Sequence, residues 1–241
     1  MMLMPAAMFS MFFFLSQYVQ LSLGWTPLHT GVAFLPFTAG MVVAAGIASN
    51  TINRIDPRIL AGIGTLIAAA ALFGFSRLPH DVTFPIQDVQ ASYVTDILPY
   101  IVMMSFGMGL TFIPLTLTAV HHVEARDSGI GSGVLNTMQQ VGGALGLATL
   151  STVAQHVWTN TGGNIQAAAT AAAGAGSGTP PTAAQQEALQ QVIAQQVFTD
   201  GATTAFLVGA AMMLAASAIV WIFLNVKHAE LATDGPQVAA H

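Results

Sequence analysis

The stretch Gly129–Val153, GIGSGVLNTMQQVGGALGLATLSTV, constrains this chain more than any other. It carries no charge. At about 1.5 Å rise per residue, a helix of that length crosses the roughly 30 Å hydrocarbon core of a bilayer. Yet it holds Asn136, Gln139 and Gln140, whose i, i+3, i+4 spacing places three amides on one helical face. An amide facing lipid is expensive, so that face should look at protein or at water. Gly129 and Gly133 precede the amides and Gly142 and Gly146 follow them, and small residues let neighbouring helices approach closely. The reading is a membrane helix with a polar stripe, inside a bundle.

Composition points the same way. Charged residues make up 6% of the chain and hydrophobic ones 54%, whereas a soluble domain has about a quarter charged residues. Five basic and ten acidic residues cannot cover the surface of 241 residues in water, so lipid is expected to solvate much of it. No basic patch suggests nucleic acid. The absence of cysteine excludes thiol and zinc–thiolate chemistry. The start, MMLMPAAMFSMFFFL, lacks the positive region and cleavage site of a secretory leader, so a retained first span is expected, with an upstream flank beyond Met1.

Hydropathy predicts an all-α integral membrane protein with six transmembrane helices: Leu3–Leu23, Gly31–Asn50 (broken by Pro36 and Gly40), Ile59–Phe75, Ile97–Val120, Gly129–Val153 and Thr203–Leu224. The chain then divides into five spans over 1–153, an outer segment over 154–201, a sixth span over 202–226 and a tail over 227–241. Arg54, Arg58, Arg126 and Lys227 fall on one side and Arg77 alone on the other, which predicts that both termini are cytoplasmic. Within the outer segment, Gln166–Thr182 is an Ala/Gly/Thr/Pro run expected to be a flexible loop. Thr182–Phe198 predicts a short interfacial helix, with Thr182 as cap and Leu189, Val192, Ile193 and Val197 as its apolar stripe.

Two readings of the amide face stand side by side. Asn136, Gln139 and Gln140 line a translocation pathway, or they make inter-helix hydrogen bonds worth about 0.6 kcal/mol each in membranes. Gln17 and Gln20, spaced i, i+3 in the first span, are candidates for the same cavity. His121 and His122 lack the partners that a metal site needs and read as a solvated loop, and Asp96 reads as a helix cap. No Asp, Glu, Lys or Arg falls deep in an expected span, so no ion-coupling site is visible. No enzyme signature is present, and neither metal nor cofactor is expected.

Phe12–Gln20 (FFFLSQYVQ), Leu23–Leu28 (LGWTPL) and Gly31–Pro36 (GVAFLP) resemble the opening of the C-terminal half of the fourteen-span EmrB/QacA drug:proton antiporters, in the major facilitator superfamily. Gly131–Thr137 (GSGVLNT) and Gln140–Gly146 (QVGGALG) resemble that family's penultimate helix. The family often has Arg at the place of Gln139. The resemblance implies one half of a facilitator fold, built as two three-helix inverted repeats. It also implies proton-driven export of small amphipathic or cationic compounds across the cell membrane by alternating access. Such a half needs an N-terminal transporter half, or a second copy, as its partner. The competing expectation is a non-transporting membrane subunit, or a nonfunctional fragment, that docks on another helix bundle.

Overall fold

The structure, a computed structural model, describes residues 1–81, 91–121, 123–175 and 183–226. Its regular elements among these are all helical: α1 Leu3–Ser22, α2 Pro27–Ala33, α3 Leu35–Thr51, α4 Pro57–Phe75, α5 Leu98–Val120, α6 Ser128–Ala175 and α7 Ala183–Phe223. A π turn, Tyr93–Ile97, leads into α5, and a 3₁₀ turn, Ala125–Asp127, leads into α6. Asp96, expected to be a cap, lies inside the π turn, whose N-cap is Ser92, and its carboxylate accepts the Ser92 amide at 2.8 Å.

Local chemistry explains most boundaries. Gly24 takes φ 64°, a left-handed turn after α1 that a side chain disfavours. Thr26 then caps α2, its Oγ1 accepting the His29 amide, with Pro27 in the first turn where no amide is needed. The second expected span breaks at Phe34, two residues before Pro36, because a proline disfavours the helical conformation upstream and cannot donate to the turn below. Gly40 does not break it: the glycine lies inside α3, where the Ser105 side chain of α5 occupies its missing Cβ position.

The helices pack as a bundle in which α5 lies between α3 and α4, α4 also meets α7, and α1, α6 and α7 contact one another. Phe14, Phe75 and Phe206 form its aromatic centre, with Phe75–Phe206 ring centroids 5.4 Å apart and Phe14–Phe206 centroids 6.0 Å apart. Where helices cross, glycine replaces the ring: Gly64 on α4 and Gly107 on α5 meet backbone to backbone. Apolar transfer does not drive helices together in lipid, so this close approach is what dispersion and packing need.

The segment 154–201 departs most from expectation. The part of the expected loop from Gln166 to Ala175 is helical, a continuation of the 48-residue α6, and the helix expected over Thr182–Phe198 is present from Ala183 but runs on into the sixth span as the 41-residue α7. Alanine is the strongest helix former, and 164–173 is mostly alanine, so low complexity here prolongs the helix. The paired prolines come only afterwards, among residues 176–182 outside the described set, as does the Thr182 cap. Between 183 and 200 neither Gly nor Pro interrupts α7, and Gly201 is held inside it by close packing against Trp158 of α6. The tail 227–241 also lies outside the described residues.

Candidate functional site

The polar face of α6 begins beyond its packed part. Gly142 meets the Met2 backbone, Gly143 the Phe9 ring and Gly146 the Ala6 side chain, which seats α6 against the start of α1. Upstream of that seam, no residue from Ser128 to Val141 is buried. At 1.5 Å per residue, roughly 20 Å of helix holds no buried residue. Asn136 and Gln140 are exposed on it and Gln139 is half-buried. Ile130, at 70% exposure, Val134, Met138, Val141 and Leu145 stand exposed around them. Gly129 and Gly133, read as packing residues, have open space at their missing Cβ positions.

Gln17 is half-buried on α1 and Gln20 is exposed. None of the five amide side chains has a hydrogen-bond partner among the described residues. The two groups do not meet. Helices α1 and α6 run parallel, with Met2 beside Gly142 and Ala6 beside Gly146. That register sets Gln17 level with Val157, so it lies roughly 25 Å along the bundle from Gln140. At the far end, Leu21 O accepts Gln195 Nε2 at 2.7 Å, which fixes α1 against α7 there.

The same far end carries a polar cluster that the sequence reading missed. Asp200, in α7, accepts a hydrogen bond from Thr161 Oγ1 of α6 at 2.7 Å, and its Oδ1 lies 3.5 Å from His80 Nε2. Next to His80, the Asp81 amide donates to Gln196 Oε1 at 2.8 Å, and Trp158 Nε1 donates to Phe198 O at 3.0 Å. These bonds tie the exit of α4 to α6 and α7. Asp200 lay three residues outside the expected sixth span, and Thr161 is 39 residues from it in sequence. The available signal was that Asp200 is the single acid within a long uncharged run. Among the described residues no cluster of His and acidic side chains fits a metal ion. His121 and its neighbours form no such centre, and His122 lies outside the described set.

Among the described residues, four helical stretches are long and apolar enough to cross a membrane: Pro27–Thr51, Pro57–Phe75, Tyr93–Val120 and Leu189–Phe223. The two remaining long helices, α1 and α6, are the ones that carry the amides.

Comparison with known proteins agrees with this architecture. Residues 1–147 match the profile of the Major Facilitator Superfamily. The puromycin resistance protein pur8 of Streptomyces alboniger is 39% identical over 148 residues, 61% of this chain and 28% of that protein. The cephamycin export protein CmcT of Amycolatopsis lactamdurans is 33% identical over 154 residues, 64% of this chain and 30% of its own length. The tetracenomycin C resistance and export protein of Streptomyces glaucescens is 30% identical over 150 residues, 62% and 26% respectively. The chain thus spans less than a third of the length of each of these relatives. Its matched region holds α1 to α5 and the polar face of α6, and the chain belongs to the major facilitator superfamily, a family of membrane transporters rather than enzymes.

Proposed function

We propose that this chain is the C-terminal half of a fourteen-span EmrB/QacA-type exporter, exporting small amphipathic or cationic compounds across the cell membrane. In this reading α2 and α3 form one span, which with α1, α4, α5, α6 and α7 makes six spans in two inverted three-helix repeats, both termini cytoplasmic. The observation that carries it is the uncovered start of α6, where Asn136 and Gln140 stand exposed and unpaired among apolar side chains. Lipid would leave those amides unsatisfied, so water or another protein surface is the fitting neighbour. A second half, from another chain or a second copy, supplies that surface and encloses a cavity at the interface. Asn136, Gln139 and Gln140 then line the pathway near one end, and Gln17 and Gln20 line it near the other. Gly129 and Gly133 are where the partner's helix comes close. The relatives named for antibiotic resistance and export support efflux as the activity, and alternating access driven by protons is the mechanism we assign. The acids of the long helices, Glu187 and Asp200, both lie in the first half of α7 outside the expected spans, and in this reading the proton site belongs to the second half.

The open space at Gly129 and Gly133 also favours a second reading, a non-transporting subunit that docks on another bundle through α6. Co-expression with a matching N-terminal half in a drug-sensitive strain separates the two. The exporter reading predicts a co-purifying complex that lowers accumulation of a fluorescent cationic dye, with Gln140→Leu reducing efflux but not assembly. A complex without efflux for any dye supports the docking subunit. A stable, transport-active monomer contradicts the need for a second half.

A further inference from the structure

The exit of α4 meets α7 through a histidine whose two ring nitrogens both face acceptors. His80 Nδ1 lies 2.8 Å from Leu78 O, and His80 Nε2 lies 3.5 Å from Asp200 Oδ1. A carbonyl oxygen only accepts, so Nδ1 carries the proton of the neutral ring, and Nε2 then turns a lone pair towards the carboxylate. The imidazolium donates at both nitrogens and satisfies both neighbours. The contact across to α7 is therefore unfavourable with one proton on the ring and favourable with two.

The α7 side is fixed independently of the histidine. Thr161 Oγ1 of α6 donates to Asp200 Oδ2 at 2.7 Å, which leaves Oδ1 for His80. Trp158 of α6 holds the next turn, packed on Gly201 and bonded to Phe198 O. The α4 side is a short strap. Leu78 is buried, and Pro79 and His80 then lead to the Asp81 amide, which donates to Gln196 Oε1 at 2.8 Å. The imidazole and carboxylate keep 23% and 21% side-chain exposure, so solvent protons reach the pair.

The other charged and titratable groups at this end are few. On its own connection the imidazole is flanked by Asp81 and by Arg77, whose guanidinium lies over the Phe73 ring at 4.8 Å. Glu187, the other acid of α7, lies roughly 20 Å away along the helix. On α6, His156 is turned to its own helix, Nε2 lying 3.1 Å from Asn160 Nδ2. Tyr18, in the last turns of α1, is buried in the core. Asp96, before α5, is engaged with the Ser92 amide and Thr95 Oγ1. Asp88 lies outside the described residues. Asp81 is the competing carboxylate, and the test separates it from Asp200.

We propose that His80 and Asp200 form a proton-controlled latch between the exit of α4 and α7, closed when the imidazole carries both protons and loosened when it loses one. Histidine is the side chain whose charge changes between pH 5 and 8, so the latch is tight at the acid end of that range and slack at the alkaline end. In the orientation proposed above this end faces the cell exterior, and the latch answers external pH. The latch itself rests neither on that orientation nor on a second half.

The test is hydrogen–deuterium exchange of the full chain in nanodiscs, read by mass spectrometry over the peptide spanning 76–81. The protection factor divides out the intrinsic pH dependence of exchange and reports how often the Asp81 amide leaves Gln196. Protection should fall about two- to fivefold from pH 5.5 to pH 8, the size of a partly exposed ion pair. His80→Gln and Asp200→Asn should each remove this fall, whereas Asp81→Asn, which keeps the backbone amide, should retain it. Protection that is constant or rises with pH in the wild-type chain overturns the proposal, and so does an undiminished fall in His80→Gln. A response lost in Asp81→Asn but kept in Asp200→Asn assigns the contact to Asp81 and overturns the pairing.

Discussion

A single methyl group at the crossing of α4 and α5 tests the packing account. A Cβ at Gly107 would lie 2.6 Å from the Ala68 backbone nitrogen, 2.7 Å from Gly64 O and 2.9 Å from the Ala68 Cβ. Non-bonded carbon settles near 3.5–4.0 Å, so the crossing must open by about 0.8 Å. Two of the three obstacles are backbone atoms and cannot rotate aside. Thr111 Oγ1, which donates to Gly107 O at 2.6 Å, would be displaced as well. Overpacking of this kind costs about 1–3 kcal/mol. Replacing glycine by alanine in a helix returns about 0.5–1 kcal/mol, so Gly107→Ala should destabilise by roughly 0.5–2 kcal/mol. Gly46→Ala is the matched control. It sits on α3 with nothing within 4 Å of its Cβ position and should be neutral or slightly stabilising. Reversible unfolding in mixed micelles, followed by tryptophan fluorescence and far-ultraviolet circular dichroism, measures both. A Gly107→Ala chain at least as stable as Gly46→Ala would refute the claim that backbone approach at Gly64 and Gly107 sets the α4–α5 contact.

Other perturbations address the remaining elements. Thr161→Val removes the hydroxyl bonded to the Asp200 carboxylate and should cost about 1.5 kcal/mol, the low end for a hydrogen bond to a charged group, because that side chain retains 21% exposure. In an Asp200→Ala background the same change should cost much less, and an additive double-mutant cycle would show the two are uncoupled. Trp158→Phe keeps the ring beside Phe198 but loses the 3.0 Å bond to its carbonyl, and should lower stability by about 0.5–1.5 kcal/mol in the same unfolding assay. Gly133→Leu projects into open space and should change the stability of the chain alone by less than about 0.5 kcal/mol, while reducing co-purification with an N-terminal half; unchanged co-purification would remove Gly133 from the proposed interface.

Much of the fold was legible in the sequence where hydropathy and punctuation agree. Leu3–Leu23 became α1, one residue shorter, and Ile59–Phe75 became α4, extended to Pro57. Residues 166–175 were misread because low complexity was equated with a flexible chain, although alanine favours helix whatever its repetition. The amide stripe was visible from i, i+3, i+4 spacing, but helical periodicity fixes only the face of a residue. The level of Gln17 against Gln140 depends on how α1 slides along α6, and glycine contacts at Met2 and Ala6 decide that. The His80–Asp200–Thr161 cluster was hidden for the same reason, since its members come from three separate segments. What lies against Asn136 and Gln140, exposed in this chain, is not set by one chain's periodicity.

The central claim is that the start of α6 faces water or a second half rather than lipid, and accessibility at residue 140 tests it most directly. The chain has no cysteine, so Gln140→Cys gives one reporter on an otherwise silent background. Inserted membranes would be treated with a small water-soluble thiol reagent, for the chain alone and with a matching N-terminal half, each with and without a candidate drug. The account predicts labelling that falls when the drug is added to the paired halves. No labelling in either background, with insertion demonstrated, would mean that residue 140 faces lipid or packed protein rather than water, and would contradict a pathway along this face.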